Sequence, residues 1–95
     1  MWQVNFHQGN NLKSFPYFSM QDDFTGNAYT PIGEMFPNVY PYTLITEVKG
    51  ESTAATRLPT GPNAGEWVGS LQTIDVDKGY WVMSQQDITL EFEGM

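Results

Sequence analysis

The sequence predicts an all-β domain with one short helical turn, and three observations carry that prediction. Apolar side chains alternate with polar ones in short runs, as in Trp2-Val4-Phe6 near the start and Ile88-Leu90-Phe92 near the end. Turn chemistry such as Gln8-Gly9-Asn10-Asn11 and Ser84-Gln85-Gln86-Asp87 separates these runs. No stretch keeps the 3.6-residue helical period for more than a turn or two. At 95 residues there is room for one core, so residues 1–95 are read as a single domain.

Taken in order, residues 2–6 form a short strand, because Trp2, Val4 and Phe6 share one face. Gln8-Gly9-Asn10-Asn11 reads as a turn, since Gly and Asn accept positive φ at low cost. Leu12 to Phe18 reads as a second strand, with Pro16 at an edge or an end. Residues 19–29 read as a polar loop anchored by Phe24. Thr30 to Phe36 reads as a helical turn, with Thr30 as cap, Pro31 at the first position and Ile32, Met35 and Phe36 on one face. Tyr42 to Val48 and Ser52 to Leu58 read as a hairpin around Lys49-Gly50-Glu51. Residues 59–65 are loop, and Glu66 to Leu71 is a further strand leading through residues 73–77 to the C-terminal region.

That region, Asp77-Lys78-Gly79-Tyr80-Trp81-Val82-Met83-Ser84, holds the densest apolar run, and Ile88 to Phe92 follows it after Ser84-Gln85-Gln86-Asp87. The two runs read as a β-hairpin. An even connection sets Met83 opposite Ile88 and Trp81 opposite Leu90, with Trp81 and Met83 in the core. Tyr80 and Val82 then lie on the outer face as a candidate interaction surface. An odd connection reverses the faces. The economical architecture for these elements is a small barrel of about five to seven strands, of the SH3-like or Sm-like kind. A two-sheet β-sandwich is the alternative.

Composition excludes several chemistries. The net charge is −7, and the four cations, Lys13, Lys49, Arg57 and Lys78, stand singly along the chain. Phosphate backbones and anionic membrane surfaces need clustered cations, so neither nucleic acid nor membrane is an expected partner. There is no Cys and one His, His7, which leaves no thiol chemistry, no Cys-based zinc site and no histidine pair. Gly69-Ser70-Leu71 lacks the second Gly of a nucleophile elbow. Asp75-Val76-Asp77-Lys78-Gly79 departs from a calcium loop at Gly79 and Gln86, and Asp22-Asp23 reads as a solvated loop pair. The expectation is no catalytic residues, no metal, no cofactor and no enzymatic activity. No readable targeting segment opens the chain and no run is long enough to span a membrane, so it is read as soluble.

Three fragments in order carry a resemblance. Gly9-Asn10-Asn11-Leu12-Lys13-Ser14-Phe15-Pro16 resembles the Gly-Trp-Asn-Leu-x-Ser-x-Pro opening of a small β module, with Asn10 standing where that module has Trp. Ile32 to Phe36 matches its short central helix. Trp67, Gly69 and Leu71, then Gly79 to Val82, match its Trp-x-Gly-x-Leu and Gly-Tyr-Trp-Val ending. The module recurs in bacterial surface proteins and in virion structural proteins of some phages. The resemblance implies a non-catalytic building block on a virion or cell surface, assembling with itself or with a larger particle. The alternative expectation is a carbohydrate-binding module, in which Tyr17, Tyr40, Tyr42 and Trp67 stack on sugar faces.

Overall fold

The computed structural model describes residues 2–16, 18–76 and 78–92. Along them run β1 (Trp2–Phe6), β2 (Gly9–Ser14), β3 (Met20–Gln21), β4 (Ala28–Pro31), the one-turn α1 (Ile32–Met35), a 3-10 turn (Tyr42–Leu44), β5 (Ile45–Lys49), β6 (Ala54–Arg57), β7 (Trp67–Gly69), β8 (Thr73–Asp75), β9 (Gly79–Ser84) and β10 (Ile88–Phe92). Their ladders form a two-stranded sheet β1-β10, a five-stranded sheet β2-β9-β5-β6-β7 and a three-stranded sheet β3-β4-β8. The domain is therefore a small β fold, as its period-two runs require. Its sheets are open, and the expected SH3-like or Sm-like closure into one barrel is not found.

The C-terminal hairpin is the main correction. β9 and β10 do not pair with each other: β9 lies between β2 and β5, and β10 pairs with β1. Two long-range ladders replace one local hairpin. They are nearly continuous, since Gly9 faces Ser84 at the end of one and Phe6 faces Ile88 at the start of the other. Residues 2–14 thus form a bent strand against residues 79–92, with His7-Gln8 opposite Gln85-Gln86-Asp87 at the corner. One extra residue on the second strand turns the ladder, as a bulge does.

Side chains hold that corner. The Asn11 carboxamide accepts the His7 N–H at 2.9 Å and donates to the carbonyls of His7, Gly9 and Val82 at 2.9, 3.0 and 3.2 Å. Asp87 Oδ1 accepts the Gln8 N–H at 2.7 Å. The expected turn at residues 8–11 is therefore a corner at His7-Gln8. Strand β2 begins at Gly9 and stops before Phe15, which drops into the core.

Parity at the corner decides the faces. Val4 and Phe6 lie opposite Leu90 and Ile88 on the inner side of β1-β10. On the outer side Gln3 donates to Glu91 at 3.3 Å and Thr89 donates to Asn5 at 2.6 Å. In β9 the buried residues are Tyr80, Val82 and Ser84, whereas Trp81 is half exposed. The even register therefore does not apply: Tyr80 and Val82 belong to the core and offer no contact face. The inner face of β9 meets Val48 of β5 and Asn11 of β2, so Trp81 cannot also point inward.

The other departures are local. Met20–Gln21 and Ala28–Pro31 pair as strands where residues 19–29 were expected to be loop, and Phe24 is fully exposed rather than an anchor. Thr30 and Pro31 end β4. Pro31 is the residue before the helical turn and Thr30 Oγ1 accepts the Ser19 N–H, so Thr30 is no cap. The β5-β6 hairpin forms as expected, with Lys49 opposite Ala54. Gly69 ends β7 at φ +129°, and a Cβ there would lie 2.3 Å from the Ala54 carbonyl oxygen, so any side chain would collide.

A single core draws on all three sheets: Phe6, Leu90 and Phe92; Ile45, Val48, Ala55, Tyr80 and Val82; and Ile74, with Ile32, Met35 and Phe36 from the helical turn region. Phe15, Phe36 and Phe92 meet edge to face, with ring centroids 5.8–6.2 Å apart. That geometry sets the positive ring edge against the negative ring face.

Candidate functional site

Burying Tyr80 and Val82 turns the alternate residues of β9 outward. Across the strands they fall into two rows. One is Leu12, Trp81, Lys49 and Ala54; the other is Asn10, Met83, Glu47, Thr56 and Val68. Leu12 lies directly opposite Trp81, and both are exposed, at 61% and 50%. Val68 at the far end of the second row is 45% exposed. Strand β2 is inverted relative to simple burial: its Asn11 is inside and its Leu12 outside. The inward Asn is explained by the corner it ties. The outward Leu sits across from Trp81, with its side chain beside Gly79.

The charge on this face is balanced. Glu47 and Lys49, two positions apart on β5, form an ion pair at 3.0 Å. They are the only ionisable residues of the two rows, so the face is neutral on a chain of net charge −7.

No family model, curated protein or solved structure matches this chain. The site therefore rests on geometry alone.

The residues singled out in the sequence do not gather on one face. Tyr40 is exposed, whereas Tyr42 packs edge to face on Phe92 and donates its hydroxyl to the Glu91 carbonyl. Trp67 is half buried, donates its indole N–H to the Phe36 carbonyl at 3.0 Å, and lies beneath Arg57. Tyr17 lies outside the described residues. Tyr42 and Trp67 are thus structural aromatics, and the expected sugar-stacking set has no common platform among the described residues.

Other candidate groups have local roles. His7 is exposed, with Nδ1 2.9 Å from the Gln8 carbonyl. Asp75 pairs with Lys78 at 3.1 Å and accepts from Thr73; its backbone N–H donates to the Tyr80 hydroxyl at 2.8 Å. The hydrogen bond from Lys78 to Asp75, together with its charge, raises the Lys78 ammonium above its usual value. Burial raises the Tyr80 hydroxyl. Asp77, the second acidic residue of the rejected calcium loop, lies outside the described residues. Among the described residues no three His, Asp or Glu side chains gather as a metal set. No described helix is long and apolar enough to cross a membrane. Asp22 accepts the N–H groups of Thr25 and Phe24, which hold its carboxyl below the usual value.

Sequence reasoning missed Leu12, Trp81 and Arg57. Leu12 and Trp81 would follow from pairing β2 with β9, which no local signal announces. The guanidinium of Arg57 is buried, donating to the carbonyls of Ile45, Gly65, Phe36 and Tyr42 and stacked 4.5 Å over Trp67. Its only signal was its place at the end of a β-prone run.

Proposed function

We propose that this chain is a non-catalytic assembly module that associates with copies of itself through the outer face of the five-stranded sheet. The carrying observation is the opposed, exposed Leu12–Trp81 pair at one side of a neutral sheet face. Exposed apolar surface of this kind is costly in water and is relieved by a second apolar surface. A large flat indole is also the side chain that most often dominates contact energy.

Two features favour a second copy as the occupant. An acidic chain repels its copies, and that repulsion is least where the local charge is zero. A twofold contact also brings residue i against residue j twice. Across such an axis Glu47 of one copy meets Lys49 of the other, so the face complements itself. The resemblance to modules of bacterial surface and phage virion proteins points to the same building-block role. The reading needs only the small β framework and no barrel closure.

Light scattering on a size-exclusion column tests it. A defined oligomer that becomes monomeric in Trp81→Ala is the expected result. A clean monomer whose elution is unchanged by Trp81→Ala, but which is retained on a glycan array, would replace this reading with carbohydrate binding.

A further inference from the structure

We propose that the cavity beside Arg57 is a binding site for a small carboxylate. It has a volume of about 410 Å³, and Arg57, Asn38, Thr43, Thr46 and Gln85 supply its polar walls. This inference is independent of the assembly reading, because it concerns a different part of the surface.

The first argument is the state of Arg57. The residue is 7% exposed, every hydrogen-bond partner of its guanidinium is a neutral carbonyl, and its remaining contact is the face of the Trp67 ring. The two ion pairs among the described residues are Lys49–Glu47 and Lys78–Asp75, so Arg57 has no carboxylate partner there. A buried cation without a counter-charge keeps most of its desolvation cost, and burial accordingly lowers its pKa. An anion brought to its side recovers part of that cost.

The second argument is composition. Eleven acidic residues are spread along the chain. Four other grooves each carry at least one: Glu51 and Asp75 in one, Asp87 in the next, then Glu34 with Glu91, and Glu66. The Arg57 cavity has none. There an anion meets attraction with no carboxylate among the lining residues.

The third argument is donor supply. A guanidinium has five N–H groups, and the four hydrogen bonds of Arg57 leave one N–H on Nη1. Thr43, Thr46, Asn38 and Gln85, which also line the cavity, carry hydroxyl and amide groups capable of donating. One charge-assisted N–H with several neutral donors suits a compact carboxylate rather than a phosphate, which calls for several cationic donors.

The test is a titration with sodium acetate against sodium chloride at constant ionic strength and neutral pH. The Arg57 Nε–Hε resonance and the melting temperature are read together. Both are expected to shift saturably with acetate and not with chloride. Arg57→Lys removes the donors that hold four carbonyls and risks unfolding, so the paired variant is Thr43→Val with Thr46→Val. It should fold and bind acetate at least tenfold more weakly. A non-saturating response in the wild type, or an equal affinity in the double variant, would overturn the proposal.

Discussion

Tyr80 and Trp81 are adjacent in sequence and opposite in role. Tyr80 is 3% exposed and its hydroxyl ties the sheets together by accepting the Asp75 N–H. Tyr80→Ala should cost about 3–5 kcal/mol, the range for emptying a buried aromatic site. Trp81→Ala removes a half-exposed side chain and should change monomer stability by less than about 1 kcal/mol. Urea unfolding of both variants at low protein concentration measures the contrast. Tyr80 also makes a pH prediction. Burial raises its hydroxyl above the ordinary value of 10.0, so the folded chain holds that proton more tightly than the unfolded chain. The stabilisation is complete below pH 10 and is lost as pH rises through the folded value. Tyr80→Phe should therefore lose about 1 kcal/mol at neutral pH, through the unpaired Asp75 N–H. Its stability should then decline less steeply above pH 10, as urea unfolding at a series of pH values would register.

At the scale of elements, the corner between β1-β10 and β2-β9 decides what faces water. Asn11 is 3% exposed and its amide engages four backbone groups there. Asn11→Ala leaves several of them without partners and should cost roughly 2–4 kcal/mol, at 1–3 kcal/mol for each unsatisfied buried group. Asp87→Ala, which frees one exposed N–H, should cost about 1 kcal/mol or less by denaturant titration. The same corner separates what was legible in the sequence from what was not. Local patterns revealed β1, the β5-β6 hairpin, the helical turn at Ile32 to Met35 and the inward set Ile88, Leu90 and Phe92, because each depends on neighbours in sequence. The pairing of β9 with β2 and β5 spans the whole chain. Tyr80-Trp81-Val82-Met83 is apolar on both sides, so its alternation names no inner face. Only the pairing partners decide, and with them went the candidate site: Tyr80 and Val82 moved to the core and Trp81 to the surface. Trp67, Tyr42 and Arg57 show the same dependence, since each is fixed by carbonyls from elsewhere in the fold.

Across the whole molecule, charge sets the conditions for assembly. Copies of net charge −7 repel one another, so association should strengthen as salt screens the long-range term. The contact proposed across the twofold axis is a local exception. In that proposed contact Glu47 of one copy would face Lys49 of the next, beside the Leu12 and Trp81 surfaces. Each such exposed pair is worth only about 0.2–1 kcal/mol, but a twofold axis counts it twice, and a like-charge pair reverses its sign. Sedimentation equilibrium of charge-exchanged variants is the most direct test. Glu47→Lys alone reduces the net negative charge from −7 to −5, which by weaker bulk repulsion should favour association. The twofold contact requires the opposite: Glu47→Lys should associate more weakly than wild type. Glu47→Lys with Lys49→Glu returns the chain to −7 and should recover the wild-type constant. If Glu47→Lys associates as strongly as wild type or more strongly, the sheet face is not where copies of this chain meet.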